Sequence, residues 1–411
     1  MNIAFIVEAF PCLSQTFILD QITGLIDLGH EVEIFAGRDP QEKKIHASFN
    51  EYRLREKVHY PNKTLQSRIP RLGKAIYLII KNLPRHPGLV LQALGQFKHC
   101  RDMNLLQFLE LVLPFFDCSF DIIHCHFGPM GLRGLALKKI GIPAKLITTF
   151  HGYDIHCYPR RVGQDVYRRL FDDGDLFTAN SNFTKNRVAA LGCQEEKIRI
   201  LPVGLKIEQF SFRERKILPN ELVRICTVAR FVEKKGHRFA LEALAKVVKK
   251  HPNVIYSLAG GGRLENDMKA LAAELQIEDK VEFLGELTQQ EIVELYQRSH
   301  FFVLPSITAS DGDMEGQGLV LQEAQACGMP VISTLHNGIP EGIQDGLSGF
   351  LVPEKDVDGL AEKMEYLIEH PEIWAEMGSC GRKFVEEKYD IKGLNHRLEN
   401  IYKDLLSNHR G

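Results

Sequence analysis

Two glutamates, Glu315 and Glu323, bracket the run Glu-Gly-Gln-Gly-Leu-Val-Leu-Gln-Glu. Gly316 and Gly318 carry no Cβ, so a ligand can approach the backbone closely between the two carboxylates. Helix propensity rises from Leu319, which puts a helix start near Gly318. Glu323 then falls just over one turn inside the helix, and Glu315 stays in the preceding loop. The free N–H groups and positive dipole end of such a start suit a phosphate. A carboxylate beside a phosphate is unfavourable unless it binds hydroxyls or balances cations. The run therefore suits a ligand carrying both phosphate and sugar hydroxyls, although two solvated glutamates flanking a core helix would give the same spacing.

Cations come from further upstream. Residues 223–229 form an apolar run fit for a buried parallel strand, and Arg230 and Lys235 lie in the loop between it and a helix beginning near His237. An arginine fork and a mobile lysine charge at a strand's carboxyl end can clamp a diphosphate; a solvated basic turn is the alternative. A strand at 254–259 runs into Gly260, Gly261 and Gly262, whose backbone N–H groups can turn toward a ligand. The lysine-bearing phosphate loop of nucleoside triphosphatases is absent. A strand at 281–284 ends at Gly285, and one at 301–304 leads through a loop to Glu315. Loops that follow parallel strands share one edge of the sheet, so Arg230, Lys235, Gly260, Gly261, Glu315 and Glu323 converge there.

The first half alternates in the same way. Strands at 2–7 and 31–36 enclose a helical segment, as in a doubly wound sheet. The loop between them places Ser14, Gln15 and Thr16 at a ligand edge or, alternatively, at a helix cap. No Gly-x-Gly-x-x-Gly follows the first strand, so a dinucleotide fingerprint is missing. A strand at 121–126 ends in His124-Cys-His126, and another at 145–150 ends in His151-Gly-Tyr-Asp154. The His-x-His pair could hold a metal only with further ligands on later strands, and none follow. His151, before a glycine, reads as a site-loop group or an ordinary hydrogen-bonded histidine. Residues 202–221 read as a polar interdomain linker.

Composition narrows the classes. The 411 residues favour two domains; 44% apolar and 25% charged residues are globular proportions, and a net charge of −2 excludes a general polyanion binder. Nine scattered cysteines without a Cys-x-x-Cys pair fit a reducing compartment. With no signal-like start and no apolar run of bilayer length, the chain reads as a cytoplasmic protein. Residues 57–101 hold nine Lys or Arg and no Asp or Glu, interleaved with apolar groups. Such a segment suits an anionic membrane surface, at the inner face of the cytoplasmic membrane, or else a solvated face over a core stripe. Pro84 and Pro87 interrupt any single long helix through it. No reader motif for nucleic acid accompanies the charge.

The second half resembles the retaining glycosyltransferases of family four. The resemblance is carried by Ala229-Arg230 with Lys235-Gly236, the Ala259-Gly-Gly-Gly262 loop, Phe283-Leu-Gly285, Leu304-Pro-Ser306, Glu315 to Glu323 and the following Ala-Gln-Ala-Cys-Gly-Met-Pro-Val-Ile-Ser333, and residues 346–353. In the first half, residues 10–17 and 121–128 look like enzymes of exopolysaccharide assembly, including the colanic-acid type. The resemblance implies an α/β GT-B fold: two Rossmann-like doubly wound domains facing across a cleft, with a C-terminal helix returning to the first. The expected division is 1–205 for the acceptor, 206–388 for the nucleotide sugar and 389–411 for the returning helix. It implies Arg230 and Lys235 on the donor diphosphate, Glu323 on the ribose, and Glu315 and His151 at the donor sugar. Gly318 and Leu319 would offer N–H groups, and Gly285 would lie near the base. The implied reaction is transfer of a hexosyl unit, with retention, from a nucleoside-diphosphate sugar to a growing, lipid-linked oligosaccharide. No cofactor is expected, and Asp311 and Asp313 read as loop charge rather than a metal pair. An epimerase or hydrolase of the same fold, or a non-catalytic nucleotide-sugar-binding protein, is the alternative.

Overall fold

The computed structural model describes residues 1–12, 15–41, 46–61, 68–98, 103–219 and 221–407. Ser14, Lys63, Arg101, the side chain of Arg68 and residues 408–411 lie outside them. The chain divides into two compact units: residues 1–179, 185–201 and 395–411, and residues 180–184 and 202–394.

The first unit carries seven strands: β1 (Asn2–Ala9), β2 (Glu31–Arg38), β3 (Val58–His59), β4 (Ile122–His126), β5 (Lys145–Phe150), β6 (Leu176–Ala179) and β7 (Ile198–Ile200). They form one parallel sheet in the order β3-β2-β1-β4-β5-β6-β7. Residues 3–7 of β1 and all of β4 are buried. Helices cover both faces of such a sheet, which is why its strands read as continuous apolar runs rather than alternating ones. The second unit repeats the plan with β8 (Val223–Val228), β9 (Val254–Ala259), β10 (Val281–Gly285), β11 (Phe301–Leu304), β12 (Val331–Thr334) and β13 (Gly349–Val352). Its order is β10-β9-β8-β11-β12-β13, again parallel.

In both sheets the order reverses beside the first strand, between β1 and β4 and between β8 and β11. A crevice opens at the carboxyl ends there, where doubly wound sheets take ligands. Trp374 is fully buried in the second core and satisfies its indole N–H on Leu367 O at 2.8 Å. Each fully buried Leu or Phe of such cores contributes about 1.5–3 kcal/mol.

Residues 202–221 are not a free linker. Leu205, Ile207 and Phe210 are buried in the second unit. Arg215, 3% exposed, donates to Gln297 O at 2.8 Å and Cys327 O at 2.7 Å. Charge-rich composition suggested solvent, but the apolar residues between the charges anchor the segment, and the guanidinium finds carbonyls inside.

The last helix, Ile391–Ser407, contributes its residues from Asn395 to the first unit. There Asn395 Nδ2 donates to Asp20 O at 3.3 Å, and the Tyr402 hydroxyl meets His124 Nδ1 at 2.5 Å. The basic segment folds as helices Arg68–Asn82 and Pro87–Phe97, broken where the prolines require it. Leu72, Ile76, Tyr77 and Ile80 of the first helix are exposed, so this apolar stripe faces outward instead of lying on the core. Among the described residues no helix is long and apolar enough to cross a membrane.

Candidate active site

The crevice of the second unit is built from the loops after β8 and β11. Glu233 stitches them together by accepting from Ser310 N at 2.9 Å and Ser310 Oγ at 2.6 Å, and Ile307 N donates to Lys234 O at 2.9 Å. The first loop closes at Gly236, whose φ is +68° and whose Cβ would lie 1.8 Å from Pro305 O. Only glycine lets the helix His237–Val247 start so close to the strand below.

Two lysines leave this loop toward two acids of the other. Lys235 forms an ion pair with Glu315, and Lys234 meets Asp313 at 3.1 Å. Burial pushes the Glu315 carboxyl up, but Lys235 and then Lys234 outweigh it, and the group is held below its usual value. The Glu315 backbone is fixed as well. Its N–H donates to His336 Nε2 at 3.1 Å, and Asn337 Nδ2 donates to its carbonyl at 3.0 Å. Because His336 Nε2 accepts that N–H, its proton sits on Nδ1 and is donated to Glu354 at 2.6 Å. Arg230 is exposed, with no ion pair among the described residues.

Glu323 lies in the second turn of the helix Leu319–Ala326, where the Tyr296 hydroxyl donates to it at 2.9 Å. Burial raises its carboxyl to about 7, although the Tyr296 hydroxyl and Lys235 pull it down. Gly318 precedes the helix at φ +74°, and no side chain caps its start. Leu321 N donates to Gly318 O at 2.8 Å, which leaves the N–H groups of Leu319 and Val320 at the helix start without a side-chain acceptor, as an anion site needs.

The glycine loop sits on the adjacent strand. Gly260 has φ +139°, and a Cβ there would lie 2.1 Å from Ala229 O. Its N–H donates to Gly285 O at 2.7 Å, while Gly261 O accepts from Phe231 N at 2.9 Å. The loops after β8, β9 and β10 are thereby joined. Among the described residues no group of three or more His, Cys, Asp or Glu is arranged to hold a metal. Asp313 is engaged by Lys234, and Asp311 accepts from Asp313 N at 2.9 Å.

His151 belongs to the first unit. It follows β5, its Nε2 3.1 Å from His126 Nδ1 and its ring between Phe17 and Phe127, with centroids at 4.8 and 4.6 Å. His126 Nε2 is 2.9 Å from Gln21 Oε1. Since an amide oxygen only accepts, His126 carries its proton on Nε2, its Nδ1 accepts, and His151 Nε2–H is the donor. Burial depresses the His151 imidazole to about 3, so the ring is neutral at ordinary pH. Asp154 holds the loop by accepting from Gly128 N, Gly152 N and His151 N at 2.9, 2.9 and 3.1 Å. Gln15 and Thr16 begin the helix Thr16–Asp27, and Gln15 gives it no side-chain cap.

Sequence reasoning singled out Lys235, Glu315 and Glu323 but missed Lys234, His336, Asn337 and Glu354 around the first two and Tyr296 on the third. Lys234 stood next to a chosen residue, and His336 opened a loop at a strand's carboxyl end. Tyr296 gave no signal, because one helical tyrosine reads as core.

Residues 14–209 match the family model described as Glycosyltransferase Family 4, and residues 208–384 match the one described as Glycosyl transferases group 1. The chain is 33% identical to the putative colanic acid biosynthesis glycosyltransferase WcaL of Salmonella typhimurium, over 98% of this chain and 100% of that one. It is 35% identical to the amylovoran biosynthesis glycosyltransferase AmsK of Erwinia amylovora, over 88% and 89%. In fold it is similar to the Anabaena protein HepE, crystallised with UDP and glucose, at a TM-score of 0.70, 17% identity, and 98% and 100% coverage. The two Rossmann-like sheets are those of the GT-B class. With both halves matched and relatives aligned along nearly their whole length, the chain belongs to the family 4, group 1 glycosyltransferases and is a glycosyltransferase.

Proposed function

We propose that this enzyme moves a hexosyl unit, with retention of anomeric configuration and without a metal, from a nucleoside-diphosphate sugar to a lipid-linked oligosaccharide in exopolysaccharide assembly. The observation that carries the reading is the Lys235–Glu315 ion pair, set beside exposed Arg230 where the second sheet reverses its strand order. The colanic acid and amylovoran roles in the relatives' names support the polymer class. The UDP and glucose bound to HepE support the donor class.

The chemistry follows from charge. As the bond from C1 to the diphosphate oxygen breaks, its electron pair stays on that oxygen. Arg230, Lys235 and the start of the helix Leu319–Ala326 stabilise the growing anion as fixed positive groups. The acceptor hydroxyl forms the new C1–O bond from the face the diphosphate leaves, and its proton passes to a phosphate oxygen. Glu315 keeps Lys235 in place and takes sugar hydroxyls, Glu323 takes the ribose hydroxyls, and neutral His151 contacts the sugar without adding charge. The outward stripe of the helix Arg68–Asn82, with its lysines and arginines, rests on an anionic membrane surface where such an acceptor resides.

The test is transfer from a panel of nucleoside-diphosphate hexoses to a lipid-linked acceptor in the presence of EDTA. NMR should find the product's anomeric configuration to be that of the donor. An inverted product, or loss of turnover with EDTA that added metal restores, would overturn retention or metal independence respectively.

A further inference from the structure

In the turn before the helix Leu319–Ala326, one residue with a side chain, Gln317, stands between the glycines Gly316 and Gly318. Gln317 is 5% exposed. Its amide closes a ring with a single residue of the segment 202–221. Val203 N donates to Gln317 Oε1 at 2.8 Å, and Gln317 Nε2 donates to Val203 O at 2.8 Å. The amide fits only this way round, because Val203 N needs an acceptor and Val203 O a donor. Gln317 Nε2 also lies 3.4 Å from Gln322 Oε1, in the first turn of the helix.

Val203 is itself a fixed post. Leu205 N donates to Tyr389 O at 3.0 Å, and Leu205 O accepts from Ile391 N at 3.1 Å. Gly204 lies so close to the same segment that a Cβ there would be 2.8 Å from Leu394 Cδ1 and 3.0 Å from Tyr389 O. All of these residues belong to the second unit.

The clamp answers a problem that the glycines create. Two glycines in three residues give a turn many backbone conformations. The observed one, with Gly318 at φ +74°, starts the helix with the Leu319 and Val320 N–H groups open to an anion. His336 and Asn337 hold this turn at Glu315, and Gln317 holds it between the glycines. Fixing the backbone of one residue costs roughly what a tenfold change in affinity represents. A loose turn leaves that ordering to the moment of binding, whereas a clamped turn is ordered beforehand.

We infer, resting on the diphosphate contact proposed above for this helix start, that Gln317 is a positioning residue for the donor: through Val203 it presets the turn so that the Leu319 and Val320 N–H groups already face the diphosphate site. Its side chain is spent on Val203 and acts on the donor only through the backbone of the turn.

Calorimetric titration of the full chain with UDP, GDP, ADP and dTDP tests this, using whichever the wild type binds most tightly. Each affinity is taken as a ratio to wild type at the same pH, which cancels the titration of the phosphate and of Glu323. Gln317→Met, which abolishes both bonds, should weaken binding by about tenfold or more near pH 5.5 and near pH 8.5 alike. Gln317→Glu has the shape of the native side chain and titrates. Ionised, it sets an oxygen without a proton against Val203 O, and near pH 8.5 it should bind about tenfold or more weakly. Protonated, it accepts from Val203 N and donates to Val203 O as the amide does, so near pH 5.5 its affinity should return to within about twofold of wild type. If Gln317→Met does not fold, the two arms of Gln317→Glu still decide. Trp374→Phe, which removes a buried hydrogen bond elsewhere in the same unit, should lower the melting temperature and keep wild-type affinity. Wild-type affinity in both Gln317 variants, no recovery of Gln317→Glu on acidification, or an equal loss of affinity in Trp374→Phe overturns the inference. A wild type that binds none of the four nucleotides contradicts the diphosphate site itself, so the two failures are distinguishable.

Discussion

Lys235 and Glu315 come from loops on adjacent strands, β8 and β11, and form an ion pair in which their side chains are only 12% and 16% exposed. A lysine held this way gains a fixed direction but remains a cation that a diphosphate can share. Breaking one partner strands a nearly buried charge, whereas removing both does not. Lys235→Met should therefore destabilise the protein by about 2–4 kcal/mol, and Lys235→Met with Glu315→Met should recover most of that loss. Neither variant should transfer sugar. Urea unfolding of the single and double variants checks this, and additive losses would show that the pair is not coupled.

The sign of the Glu315 shift adds a pH dependence. Its folded value lies below the usual one, so its stabilising contribution is present above the ordinary carboxylate range and disappears as pH falls through the folded value. On acidification the wild type should lose stability relative to the double variant. A difference that is constant with pH contradicts the assignment.

Glu323 behaves oppositely. Its carboxyl is raised to about 7, so the stability it contributes is full below the unfolded value and is lost as pH rises through about 7. Glu323→Gln, which cannot ionise, should be more stable than wild type at pH 8 by on the order of 2–3 kcal/mol and equal to it near pH 4. The same variant should bind the nucleotide sugar less tightly, because one acceptor for ribose hydroxyls is gone. Melting curves at the two pH values, with calorimetry of donor binding, test both parts; unchanged donor affinity counts against the ribose role.

The contact between His126 and His151 predicts a tautomer. With Gln21 Oε1 on His126 Nε2, His151 should be a neutral imidazole protonated at Nε2. Nitrogen-15 NMR should show that form unchanged between pH 6 and 8, since burial holds the ring at about 3. A titration of His151 inside that window contradicts the arrangement.

The elements that position the site were legible in the sequence because each had a local cause. Parallel strands such as β8 and β11 read as apolar runs, and the loops after them carried Arg230, Lys235 and Glu315. Gly318 marked the helix start within one residue, because αL backbone and the jump in helix propensity at Leu319 coincide. What the sequence could not express were partnerships set by strand order. Lys235 finds Glu315 across the chain only because β11 lies beside β8, and Tyr296 reaches Glu323 only through tertiary packing. The segment at 202–221 was misread because charge density hid the buried Leu205, Ile207, Phe210 and Arg215. In the basic region the prolines fixed the helix break, but the outward direction of Leu72, Ile76 and Ile80 required the fold.

That direction predicts membrane behaviour. Ile76→Asp with Ile80→Asp should abolish flotation with anionic vesicles while leaving the melting temperature near that of wild type, because both side chains are already exposed. High salt should weaken the wild-type interaction by screening its cations. Flotation of the variant equal to that of wild type contradicts the membrane role of this face.

The most direct test falls on Arg230, which is exposed and outside any ion pair among the described residues, so its removal should spare the fold. In the proposed reaction its guanidinium stabilises the departing diphosphate. Arg230→Ala, measured at saturating donor and acceptor, should lower kcat by about 10²–10³-fold, or about 3–4 kcal/mol of transition-state stabilisation, with an unchanged melting temperature. A variant that folds normally and turns over at a rate close to wild type would contradict the central claim.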